Sequence, residues 1–148
     1  MNRLEKLQRV NPHIRIHSIH EPIFRHYGRV IDWDTTELGA AAETLPFPET
    51  GSKYVAATPE LDEIPAAAKL REILCGGLDE QIGLCWGHSN RLNALEWHTC
   101  NEFNVAVQEL VLLLAKREDL DGDGRLDAAK VRAFYLAQGE MIEVYSDT

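Results

Sequence analysis

From residue 80 onward the chain reads as short alternating runs separated by turn residues. Gln81 to Trp86 is the first predicted strand, and Gly87-His88-Ser89-Asn90 is turn chemistry. Leu92 to His98 alternates and is predicted as the next strand. Phe103, Val105 and Val107 mark another, and Leu110 to Ala115 is an apolar run expected to be buried. Asp119 to Asp127 is a loop. Val131 to Leu136 and Met141 to Tyr145 follow as strands, with Gly139 between them.

The first half is patterned differently. Pro12 with the alternation Ile14, Ile16 predicts an extended segment, and Gly28 a turn feeding the strand Arg29-Val30-Ile31. Thr35 or Thr36 is positioned to cap a helix through Ala42, with Pro46 beyond its end. Tyr54 to Ala57 is a short strand. Pro59 and Pro65 each suit a first helical turn, and Gly76-Gly77 ends the second helix. The expected fold is mainly β with N-terminal helices. Residues 1–148 read as one domain, mixed helix and strand over 1–78 and barrel-type strands over 79–148.

Alternation also places chemistry. On a strand over Leu92–His98, Leu92, Ala94, Glu96 and His98 share one face, while Asn93, Leu95 and Trp97 share the other. Glu102, Asn104 and Ala106 share a face of the next strand. If the two strands pair in that sense, Glu96, His98, Glu102 and Asn104 converge. An imidazole with two carboxylates suits a divalent metal such as zinc, manganese, iron or nickel. The same groups can act without metal, since a desolvated carboxylate has a raised pKa and works as general acid or base. The alternative is that Leu95 and Trp97 mark the core face and leave Glu96 and His98 in solvent. His88 and Arg91, on the turn before the strand, are candidates for meeting an anionic group of a substrate.

Two further patterns compete for attention. His13, His17 and His20 are spaced by four and three, but an extended segment turns them into exposed polar residues rather than a metal site. Asp119, Asp121, Asp123, Gly124 and Asp127 follow the spacing of an EF-hand calcium loop. Lys130 stands at the twelfth position, where calcium requires a bidentate carboxylate. A polar loop between strands is the simpler reading, and a calcium-binding EF-hand-like protein the more distant one.

Composition narrows the partners. A net charge of −9 repels phosphate backbones and disfavours nucleic acid. No apolar run reaches membrane-spanning length, and the charged start Met1–Lys6 lacks a secretory pattern, so a cytoplasmic location is expected. The three cysteines, Cys75, Cys85 and Cys100, have no C-x-x-C spacing and predict no disulfide framework.

Gln81-Ile82-Gly83, Asn90 to His98 and Glu102 to Ala106 together resemble a bacterial cupin family of uncharacterised function, itself similar in pattern to ureidoglycolate lyase. Phe24 with Tyr27–Ile31, Asp127 with Lys130–Phe134, and Gly139–Tyr145 agree with it in order along the chain. The resemblance implies a cupin-type double-stranded β-helix with a pocket at its mouth, often dimeric. Cupins hold a metal through H-x-H, a Glu and a later His. Glu96 stands at the first His, His98 matches the second and Glu102 matches the Glu. The later His and the closing strands are expected beyond Thr148, so the chain reads as C-terminally truncated relative to that family. The function implied is a metal-dependent lyase or isomerase acting on a small sugar or hydroxy acid. A non-catalytic ligand-binding or scaffold module is the alternative, because one fold hosts both roles.

Overall fold

Phe134 organises the larger part of the molecule. It is fully buried, and the rings of His17, Phe24 and Tyr27 pack around it with centroids 5.7, 5.2 and 5.1 Å away. In this computed structural model every residue except Asn90 and Asn93 is described. The described residues form two compact units: Met1–Trp33 with Leu92–Thr148, and Asp34–Arg91.

The first unit begins with α1 (Arg3–Val10). Its start is a capping box: Asn2 Oδ1 accepts from the Glu5 amide and Glu5 Oε2 from the Asn2 amide, both at 2.8 Å. This helix was not expected from a segment read as mixed. Gln8 then ties it to β1 (Ile16–Ser18), donating to the Ile14 carbonyl at 2.8 Å and accepting from the Ile16 amide at 2.9 Å. β1 pairs in parallel with β7 (Arg132–Leu136), which pairs antiparallel with β6 (Leu110–Leu114). The second sheet has β8 (Met141–Val144) in the middle, antiparallel to both β2 (Gly28–Ile31) and β5 (Glu102–Val105). Phe134 and Leu136 from one sheet and Ile142 and Val144 from the other enter a shared core with Phe24, Tyr27 and Ala106.

The second unit holds α2 (Thr36–Glu43), β3 (Ser52–Val55), α3 (Pro59–Asp62), α4 (Pro65–Leu74) and β4 (Leu84–Gly87). β3 and β4 pair antiparallel. The prolines stand in the first turns of α3 and α4, as predicted. Arg71 fastens the unit: its side chain donates to the Glu80 and Asp62 carbonyls at 2.6 and 3.1 Å and pairs with the Asp62 carboxylate.

The architecture is mixed, with all the described α-helices before Cys75 and strands on both sides of it. Among the described residues the strands form separate sheets and no closed barrel. Among its described residues the strand expected over Leu92–His98 does not form. Asn93 lies outside the described residues, and 94–98 join no ladder, so β5 finds its partner in β8 instead. Leu95 and Trp97 are exposed and do not form a core face. Leu110 and Val111 at the start of the edge strand β6 are also exposed, whereas Leu112 packs against the core and Leu114 and Ala115 are buried.

Gly28 is needed for a different reason than a turn. A Cβ there would lie 2.1 Å from the Glu143 carbonyl oxygen, so only glycine lets β2 approach β8 this closely. Gly28→Ala is expected to cost about 1–3 kcal/mol or more through overpacking. Phe134→Ala is expected to cost about 3–5 kcal/mol, the usual loss for a buried Phe. Urea denaturation of both variants measures these losses; an unchanged midpoint for Phe134→Ala would remove it from the centre of the core.

Candidate functional site

The register of β8 decides where the carboxylates of its neighbours point. Glu102 lies opposite Val144 and Asn104 opposite Ile142. Residues directly opposite in a ladder share a face. Ile142 and Val144 are core residues, and so is Ala106 just beyond β5. Glu102 and Asn104 therefore stand on the inward face of the sheet, as the alternation predicts, at its half-buried border.

The preceding segment brings its own groups to Glu102. His98 Nε2 lies 3.0 Å from Glu102 Oε2 and 4.0 Å from Glu96 Oε1. Asn104 shares this face of β5 with Glu102. Glu96, His98, Glu102 and Asn104 thus converge as expected, although an irregular segment rather than a strand delivers the first two. Exposure is graded: the Glu96 side chain is 81% exposed, against 43% for His98 and 44% for Glu102.

Electrostatics follows that gradient. Desolvation holds the Glu102 carboxyl above its ordinary value of 4.5, and the negative charge of Glu96 pushes the same way. The His98 charge and the Asn104 side chain oppose the rise. A carboxyl poised in this way exchanges protons with an adjacent imidazole more readily than an ordinary surface glutamate does.

Asn101, to which the sequence pattern assigns no role, positions this segment. Its Nδ2 donates to Glu143 Oε1 at 2.7 Å and its Oδ1 accepts from the Ser146 amide at 3.0 Å. Glu143 is buried on the opposite face of β8 and also pairs with Arg29. The clue available in the sequence was Glu143 itself, a charged residue inside an apolar strand that needs polar partners. Farther back, Trp97 is held by the Arg117 guanidinium, 4.3 Å from its ring centroid.

The other predicted residues lie apart in kind. His88 and Arg91 belong to the second unit. The His88 ring packs edge-on against Phe47 at 5.2 Å, its amide donates to the Gly51 carbonyl at 2.7 Å, and Arg91 is exposed. Asn90, the end of the predicted turn, lies outside the described residues. His17 sits on β1, where Nδ1 meets Glu21 Oε2 at 2.9 Å, and His20 pairs with Glu140 at 2.7 Å. These histidines are thus taken up by carboxylates one by one. In the Asp119 loop, Asp121 Oδ1 accepts from the Asp123 and Arg125 amides at 2.9 and 2.8 Å, and Lys130 Nζ lies 3.7 Å from Asp119. β6 and β7 flank it where an EF-hand has helices.

A metal can be tested against this geometry. Two donors each about 2.1 Å from one ion lie roughly 3.0–3.4 Å apart. The 3.0 Å between His98 and Glu102 fits such a pair, whereas Glu96 stands outside it at 4.0 Å. Among the described residues no group of three or more His, Cys, Asp or Glu side chains is gathered as a ligand set. A divalent metal there would find two donors at this spacing and a third only after a rotamer change of Glu96.

The raised carboxyl of Glu102 binds its proton more tightly in the folded than in the unfolded chain. Its ionisation therefore costs stability as pH rises from 4.5 through the raised value. A carbon-13 titration of the Glu102 carboxyl should show a midpoint above 4.5. That midpoint should fall in Glu96→Gln and rise further in His98→Ala. Shifts of the opposite sign would show that the three groups do not share one field.

No curated protein and no solved structure matches the chain. A protein family does. It is described as Domain of unknown function (DUF4867), and its match covers residues 16–148. The match opens on the first residue of β1 and takes in both sheets of the first unit, the whole second unit and the cluster around Glu102. The chain belongs to this family.

Proposed function

We propose that the first unit is built on the plan of a cupin-type double-stranded β-helix and that Glu96, His98, Glu102 and Asn104 form its reaction centre. The activity proposed is lyase or isomerase chemistry on a small sugar or hydroxy acid. One observation carries the reading: an imidazole nitrogen 3.0 Å from a carboxylate whose pKa is raised, on the inward face of the sheet.

In this proposal Glu102 and His98 move a proton between adjacent carbons or to a leaving oxygen of the substrate. Glu102 is the group whose proton affinity suits the task, and His98 its charge partner. Asn104, on the same face of β5 as Glu102, is proposed to bind the substrate. With a divalent metal bound, His98 and Glu102 would hold it in place of moving the proton, and Glu96 would be the third ligand or the base. When bound there, zinc, manganese, iron or nickel would polarise a substrate carbonyl or hydroxyl oxygen as a Lewis acid.

A second reading is supported by a specific observation. Among the described residues two donors stand at ligand spacing, and both are open to solvent, which suits a non-catalytic module that binds a small ligand. Elemental analysis of the purified protein beside His98→Ala separates the two. The enzyme reading expects stoichiometric metal that the variant loses, and turnover that Glu102→Gln lowers by about 10²–10⁴-fold. Metal retained by His98→Ala would sink the proposed seat. Metal in neither form, with a sugar bound but not turned over, would establish the binding module.

A further inference from the structure

The first unit also carries an open groove of about 680 Å³ that none of the preceding chemistry uses. Its size lies within the range of small-molecule sites. Its charge is opposite to that of the molecule: the chain carries −9, yet Arg25, Lys116, Lys130 and Arg132 all line this groove, with His26 beside them.

The carboxylates of the groove do not use up these cations. Asp147 is matched by Lys116 at 2.6 Å, and Asp119 by Lys130 at 3.7 Å. That leaves Glu118 against two guanidinium groups. Arg132 Nη1 donates to the Ala129 and Val131 carbonyls, while its Nε and Nη2 meet no acceptor among the described residues. Arg25 and His26 likewise make no side-chain hydrogen bond or ion pair among the described residues. A guanidinium with two adjacent free N–H groups is the natural fork for a carboxylate or phosphate. Ile23, Tyr27 and Tyr145 complete the lining.

We infer that this groove binds a small organic anion, with one carboxylate or phosphate group held by Arg132 and Arg25. The inference stands on residues separate from Glu96, His98 and Glu102, and it survives if that site proves inert.

Isothermal titration of the whole chain tests it with citrate, galactonate and glucose 6-phosphate, and with galactose as the neutral control. At least one anion should bind saturably, more weakly as salt rises, and galactose should not. The better anion then tells carboxylate from phosphate. Arg25→Ala, an exposed substitution that leaves the fold intact, and Arg132→Met should each weaken binding about tenfold, the loss of one charge-assisted partner. His98→Ala should bind the anion as the unaltered protein does. Absence of saturable binding for all three anions would overturn the proposal, as would equal binding of galactose. So would unchanged affinity in a folded Arg25→Ala, or a loss confined to His98→Ala, which would assign the anion to the other site.

Discussion

The register of β8 between β2 and β5 is the constraint on which the first unit depends. β8 is buried along its whole length, so both of its faces must be satisfied at once. Ile142 and Val144 join the Phe134 core, which turns Glu143 to the other face. A slip of one residue would reverse this arrangement. It would set Glu143 opposite Glu102 or Asn104 and drive its charge into the apolar cluster, at a cost of several kcal/mol for an unpaired buried ion. The same register that protects the core therefore aims Glu102 and Asn104 inward. The close approach of β2 at Gly28 locks it from the other side.

Two glutamates in neighbouring strands show how surroundings separate structural from chemical roles. Glu143 is buried but held by Arg29 and Asn101, so its charge is spent on fixing the segment before β5. Glu102 is less buried, yet the net effect on it is a raised pKa, because desolvation and Glu96 outweigh His98 and Asn104. Glu21 is the counterexample in the same unit: the His17 hydrogen bond and the Ser18 amide hold it below the ordinary range. Glu102 combines partial burial, a like charge and an adjacent imidazole, which is the arrangement expected where a proton is to be moved.

Much of this was legible in the sequence, and the failures have physical causes. Period-two alternation located β5, β7 and β8 and the shared face of Glu102, Asn104 and Ala106, because each strand has a buried neighbour to enforce the pattern. The same alternation over Leu92–His98 misled, since it reports a strand only when a partner exists, and β8 already has β2 and β5 on its edges. α1 was missed because its signal is polar: Asn2 and Glu5 cap it, and none of its residues is buried. Gly28 was recognised, but its reason, a neighbouring carbonyl, is long-range and invisible to local reading. The groove was beyond reach for the same reason. Its cations come from residues 25–26, 116 and 130–132, which only the pairing of β1, β6 and β7 gathers.

The cluster and the groove also share supports. Asn101, next to His98 and Glu102 in the chain, holds the Ser146 amide, and Tyr145 and Asp147 on either side of Ser146 line the groove. Arg117, whose guanidinium covers Trp97, donates its amide to the Asp147 carbonyl at 2.8 Å. The segment carrying Glu96 and His98 is thus fastened, on its Trp97 and Asn101 sides, to the stretch that forms one wall of the groove. Energetic coupling between the cluster and the groove needs a physically connected path, and here that path is two hydrogen bonds and one cation–π contact long.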